Sequence, residues 1–151
     1  MSYERRLALM ALAALPGLGP INLRKLDKSM ESGVESLLEM HGDEQAVWCS
    51  GRILEQLMNW KDYFNPDAVT EELQRMNADF ITFEEEGYPS KLLPYTDRPI
   101  GLYRNYSGQQ LEGACLAVVG TRQPSGYGRR MAREFSAELS RSGYTIVSGM
   151  A

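Results

Sequence analysis

Residues 115 to 149 constrain the fold most. An apolar run, CLAVVG, leads into a loop, TRQPSGYG, then a helical pattern, RRMAREFSAELSRS, a glycine, and a second apolar run, YTIVSG. Met131, Phe135 and Leu139 recur at every fourth position, which puts them on one face of a helix, and Gly143 supplies its stop. Strand, loop, helix and strand within about 35 residues make a βαβ unit, and such units build parallel sheets. One helix cannot cover both faces of a two-stranded parallel pair. Further strands are therefore expected, and the chain, which ends at Ala151, is expected to be a fragment.

In a βαβ unit the loop after the first strand lies at the carboxyl edge of the sheet, where ligands bind. Here it reads Gly120, Thr121, Arg122, Gln123, Pro124, Ser125, Gly126, Tyr127, Gly128. Gly120 is expected to let the backbone turn sharply off the strand, and Ser125 to cap the helix. The amides of residues 126 to 128 then carry the positive end of the helix dipole and favour a phosphate. Arg122 adds a planar charged fork, and Tyr127 a ring on which a base can stack. The competing reading is an ordinary strand-to-helix turn followed by a solvated arginine face. A dinucleotide site fits less well. Arg122 stands where G-x-G-x-x-G needs its second glycine, and the second strand ends in Ser148 and Gly149 with no acidic residue for a ribose.

The first 75 or so residues read as short helices: about 3 to 14, one capped by Gly19 with Pro20 at its first position, Val34 to Met40, Gln45 to Met58, and Asp67 to Met76 behind Pro66. In the first, Leu7, Met10, Ala11, Ala14 and Leu15 are the expected core stripe. From Asp79 the texture changes. ADFITF and IGLYRNY read as strands on either side of a turn-rich stretch, which places the domain boundary at 77 to 79. Between the first two helices, LPGLGPINLRKL fits a helix-hairpin-helix. Gly17 and Gly19 would let amides meet a nucleic-acid phosphate, with Lys25 or Arg24 neutralising it. The alternative is a structural helix connection with weak DNA contact at most.

Charge separates these halves. The net charge of −4 argues against coating nucleic acid by bulk electrostatics. Residues 1 to 78 hold eight basic and twelve acidic side chains, whereas residues 115 to 151 hold Arg122, Arg129, Arg130, Arg133 and Arg141 against Glu134 and Glu138. Cys49 and Cys115 lie far apart with no CxxC spacing, and His41 is the single histidine, so neither a disulfide framework nor a metal site is expected. MSYERRLALMALAALPG has the outline of a secretion signal, but Glu4 and the helical spacing favour a core helix. No run approaches a membrane span. A cytoplasmic protein without membrane contact follows as the expectation.

Taken together, the helical hairpin, FEEEGYPSKLLPYTDRPIGLYRNYSG and LAVVGTRQPSGYGRRMAREFSAELSRSGYTIVSGMA resemble the DNA-processing protein A family, also called DprA or Smf. The middle stretch is similar to the family's tyrosine-proline-x-x-leucine segment, and the last to its valine-glycine-serine/threonine-arginine loop. The resemblance implies an α/β protein. A small helical domain of the sterile-alpha-motif-like (SAM-like), helix-hairpin-helix kind at residues 1 to 77 precedes the first part of an extended Rossmann-like parallel-sheet domain at 78 to 151, truncated here. It also implies a function: binding single-stranded DNA and loading a RecA-type recombinase onto it in natural transformation, as a homodimer when full length. The DNA-contacting loop then falls on Gly120, Thr121 and Arg122, with Ser125, Tyr127 and Gly128 completing the cradle. Ser148, Gly149, Met150 and Ala151 resemble the start of a second family motif.

No catalytic constellation is visible, and no cofactor is expected; His41 reads as a turn residue rather than a base. The rival reading is a Rossmann-like nucleotide-binding enzyme of phosphoribohydrolase type, which the same anion cradle would serve. A third makes the helical part an interaction module whose acidic faces meet a basic partner.

Overall fold

The computed structural model describes residues 1–105 and 113–149. Tyr106 of the expected second strand, and Met150 and Ala151 of the second motif, lie outside the described residues. Helices and small sheets are arranged in two compact units, Met1–Gly108 and Gln109–Ala151. The change of texture at residues 77 to 79 lies within the first unit, where the strand that follows it packs on helices that precede it.

In the first unit, α1 (Tyr3–Ala14) begins at Ser2, whose hydroxyl accepts the Arg5 N–H at 3.1 Å. The expected stripe along α1 is only part of its buried surface. Leu9 and Leu12, outside that stripe, are fully buried at 1% and 0% exposure, while Ala14 faces solvent. The reason is that α1 is covered on two sides. Leu9, Leu12 and Leu15 join Leu18, Leu23 and Leu37 in one cluster, and Met10 and Ala11 join Phe64 and Phe80 in another. A helix apolar over more than one face is a core helix, and this one organises the unit.

The LPGLGP turn buries Leu15 and Leu18, with the Leu18 N–H donating to the Leu15 carbonyl at 3.2 Å. Gly17 between them has φ +90°, a conformation in which a side chain is strained. Gly19 caps α2 (Pro20–Ser29), and Pro20 fills its first position as expected. A 3-10 turn at Val34–Leu38 replaces the helix expected to reach Met40. The helix expected from Gln45 to Met58 is two helices, α3 (Gly42–Trp48) and α4 (Gly51–Met58). Cys49 and Ser50 are extended and Gly51 has φ +56°, which breaks the run. The Asn65 side chain caps α5 (Pro66–Arg75) by accepting the Ala68 N–H at 3.1 Å. Strands β1 (Ala78–Thr82) and β2 (Gly101–Asn105) pair antiparallel, Ala78 opposite Asn105 through Thr82 opposite Gly101.

Arg5 and Arg6 of this unit are engaged by carboxylates. Arg5 donates to Asp27 at 2.8 Å, Glu35 at 2.6 Å and Glu84 at 2.6 Å. Arg6 pairs with Glu85, which also accepts the Thr82 N–H at 2.9 Å. Burial pushes the Asp27 and Glu85 carboxyls up, but for Asp27 the bonds from Arg5 and the Val34 N–H, and for Glu85 those from the Thr82 N–H and Arg6, outweigh it. Both groups are held below the usual carboxylate range.

The second unit is a single right-sized βαβ: β3 (Cys115–Ala117), α6 (Gly126–Arg141) and β4 (Thr145–Val147). The strands pair parallel, Cys115 opposite Thr145 and Ala117 opposite Val147, and the Val118 N–H extends the ladder to the Val147 carbonyl at 2.8 Å. Gly143, at φ +88°, ends α6 as the sequence predicts. None of the described residues of this unit is buried, and Phe135 is 59% exposed.

Two substitutions test this arrangement. Leu12→Ala should destabilise the first unit by about 3 kcal/mol, read by urea unfolding with the fluorescence of Trp48 and Trp60. Arg5→Gln should cost about 2 kcal/mol at pH 7. Because the folded-state carboxyl values lie below the unfolded ones, the network's contribution is complete above the ordinary range near pH 4 and is lost as pH falls through the folded values. The cost of Arg5→Gln should therefore shrink on acidification; an equal cost at pH 7 and pH 3 would remove the electrostatic account.

Candidate nucleic-acid interface

Parallel pairing brings the ends of β3 and β4 and the start of α6 to one edge of the second unit. There the backbone opens a groove of about 580 Å³. Gly120, Thr121, Ser125, Gly128, Ser148 and Gly149 line it, so six of the eight residues expected on this edge come together. The other two sit apart from the groove wall. Arg122 is exposed on the loop, and Tyr127, 65% exposed, carries the Arg130 guanidinium 5.7 Å from its ring centroid.

Local chemistry accounts for the loop. The Thr121 hydroxyl accepts the Gln123 N–H at 3.2 Å, a side-chain turn that bends the chain off the strand. Ser125 is the N-cap of α6, its hydroxyl accepting the Gly128 N–H at 3.1 Å while its carbonyl accepts the Arg129 N–H at 3.0 Å. That takes the third amide of the first turn. The amides of Gly126 and Tyr127 have no partner within the helix and stand at its positive end.

The expected reason for Gly120 does not hold. Its φ is not positive, and a methyl group built there would meet nothing within 4 Å, as at Gly126 and Gly149. These glycines therefore leave bare backbone beside open space rather than solving a turn. An anion can approach main-chain nitrogens closely at such a surface.

Electrostatics sharpen the contrast between the units. Among the described residues, none of Arg122, Arg129, Arg130, Arg133 and Arg141 forms an ion pair, whereas Arg5, Arg6, Arg75 and Arg104 of the first unit all do. Two of the five, Arg129 and Arg133, line the groove, and sequence reading assigned neither to it. Their spacing of four on a helix that starts at the loop was the available signal.

The hairpin of the first unit is differently built. Gly17 and Gly19 flank a turn whose leucines serve the core, and both line a groove of about 700 Å³ whose walls include Met10, Phe80 and Ile100. Lys25 is exposed, beside Gly17 and Trp48 on a second groove of about 460 Å³. Arg24 is not a candidate phosphate partner. It is 8% exposed and donates to the Arg98 carbonyl at 2.7 Å and to the Thr96 carbonyl, and burial together with the Arg98 charge holds it below the ordinary arginine value. His41 is exposed at the start of α3, its backbone N–H donating to Glu44 at 2.9 Å. Among the described residues no group of three His, Cys, Asp or Glu is placed to hold a metal ion, and no helix is long and apolar enough to cross a membrane.

Comparison with known proteins yields one family and several relatives. The family described as DNA recombination-mediator protein A matches residues 79–151. Protein Smf of Synechocystis sp. is 30% identical over 163 residues, covering 100% of this chain and 39% of the relative. Protein Smf of Escherichia coli is 40% identical over 79 residues, 52% of this chain and 21% of its own length. DNA processing protein DprA of Bacillus subtilis is 33% identical over 72 residues, 47% of this chain and 24% of the relative. The chain thus spans well under half the length of each of these relatives.

The capping geometry is open to direct test. Ser125→Ala should cost about 1 kcal/mol of local helix stability, seen as faster hydrogen exchange of the Gly128 and Arg129 amides with the first unit unchanged. Unaltered exchange at both amides would mean that the cap does not hold this end of α6.

Proposed function

We propose, for a chain that belongs to the DNA-processing protein A (DprA/Smf) family, that the complete protein grips single-stranded DNA by its phosphates along the carboxyl edge of the parallel sheet. It does so without chemical turnover, as a mediator that delivers the strand to a RecA-type recombinase. The observation that carries this reading is the coincidence, at one edge, of bare amides at the start of α6, glycine backbone beside open space, and guanidinium groups that form no ion pair among the described residues. Neutral amides and a helix dipole give a position for one phosphate oxygen, and Arg122 on the adjoining loop closes over it with a fork.

The relatives' names, with their reference to DNA processing and recombination, support the same direction. In this reading residues 1 to 77 form the SAM-like helical domain and residues 78 to 151 begin the Rossmann-like one. The protein acts in the cytoplasm as a homodimer. The hairpin at Gly17 and Gly19 with Lys25 contributes weak contact at most, since its leucines are committed to the core. A nucleotide-processing enzyme would want a carboxylate at the groove, and neither Glu134 nor Glu138 lines it.

Arg122→Ala should weaken binding of a fluorescent oligothymidine and reduce the slope of log K against log salt by about 0.7, the contribution of one phosphate on a single strand. Anisotropy titrations across a salt series measure both quantities. An unchanged affinity and slope would remove Arg122 from the site, and preferential binding of mononucleotides would favour the enzyme.

A further inference from the structure

The groove has a second wall that the loop alone does not explain. Beyond the cap, Arg129 and Arg133 line it with Ala132 between them. Positions four apart on a helix share a face and are separated by about 6 Å along its axis, so both guanidinium groups serve the same wall. Arg129 is steered toward the loop by a long contact from its Nη2 to the Pro124 carbonyl at 3.4 Å. Ala132 keeps the wall low. Neither arginine forms an ion pair among the described residues, and the acidic residues of the helix, Glu134 and Glu138, stay out of the groove.

Two unneutralised forks on one wall are more charge than a single phosphate needs when amides and Arg122 already meet it. We infer that Arg129 and Arg133 together hold the next phosphate of the same strand, so that the DNA leaves the loop along the flank of α6 instead of crossing the sheet edge. This rests on the reading that the loop takes the first phosphate. It adds that the smallest ligand filling the site carries two successive backbone phosphates separated by a sugar, which a mononucleotide lacks. It also gives the strand a direction relative to the fold: away from the carboxyl edge, down the first two turns of the helix.

The test uses the complete protein and oligothymidines in anisotropy titrations over a salt series. Arg129→Gln and Arg133→Gln should each weaken binding several-fold and lower the salt slope by about 0.7, while Arg133→Lys should keep the slope. Arg141→Gln, in the last turn and off the groove, should change neither. Arg122, Arg129, Arg133 and Arg141 are all exposed, and circular dichroism verifies that the variants fold. If Arg129→Gln and Arg133→Gln behave like Arg141→Gln while Arg122→Ala still weakens binding, the second position is wrong and the loop reading stands. If Arg122→Ala is neutral as well, the loop reading falls with it. If Arg141→Gln weakens binding as much as Arg133→Gln, the effect is diffuse charge and the second position is overturned.

Discussion

Parallel pairing of β3 and β4 is the constraint from which the site follows. Two strands that run the same way cannot be joined by a tight turn, so the chain must climb back over the sheet, and α6 is that return. The start of the helix and the ends of both strands are thereby forced to one edge. Main-chain amides with no helical partner, a capping hydroxyl and glycine backbone meet there because of topology. Side chains only refine what the crossover has already assembled.

The two units handle positive charge in opposite ways. In the first, Arg5 gathers three carboxylates, Arg6 and Arg104 each take one, and Arg24 is turned inward onto carbonyl oxygens. Those charges are consumed by the fold. In the second, the guanidinium groups form no ion pair among the described residues, Arg130 lying over the Tyr127 ring and Arg129 reaching the Pro124 carbonyl. The overall excess of acid is therefore no measure of the local field, since the acidic residues are concentrated in the first unit and the second carries a local excess of arginine.

Much of this was legible in the residues. The βαβ order, the stop at Gly143, the cap at Ser125 and Gly19 with Pro20 all rest on local chemistry, which a sequence displays directly. The breaks at Cys49 to Gly51 and the 3-10 turn at Val34 were not, because an apolar period continues through them and only backbone conformation marks the interruption. Helix α1 misled in another way. Its expected single stripe took in Ala14, which is exposed, and left out Leu9 and Leu12, because burial on their side depends on Leu23 and Leu37, supplied by later segments of the chain. Arg24 and Arg129 show the same limit at the site. Adjacent in type and equally basic on paper, one is withdrawn into the core and the other stands on the groove, and tertiary packing alone decides which.

Among the described residues of the second unit, Val119, Phe135 and Val147 remain open to water around a short ladder. Any ligand that binds a folded chain and not the unfolded one stabilises it by an amount that grows with the logarithm of its concentration. A polyanion seated on the edge where both strands end would therefore make this unit harder to unfold.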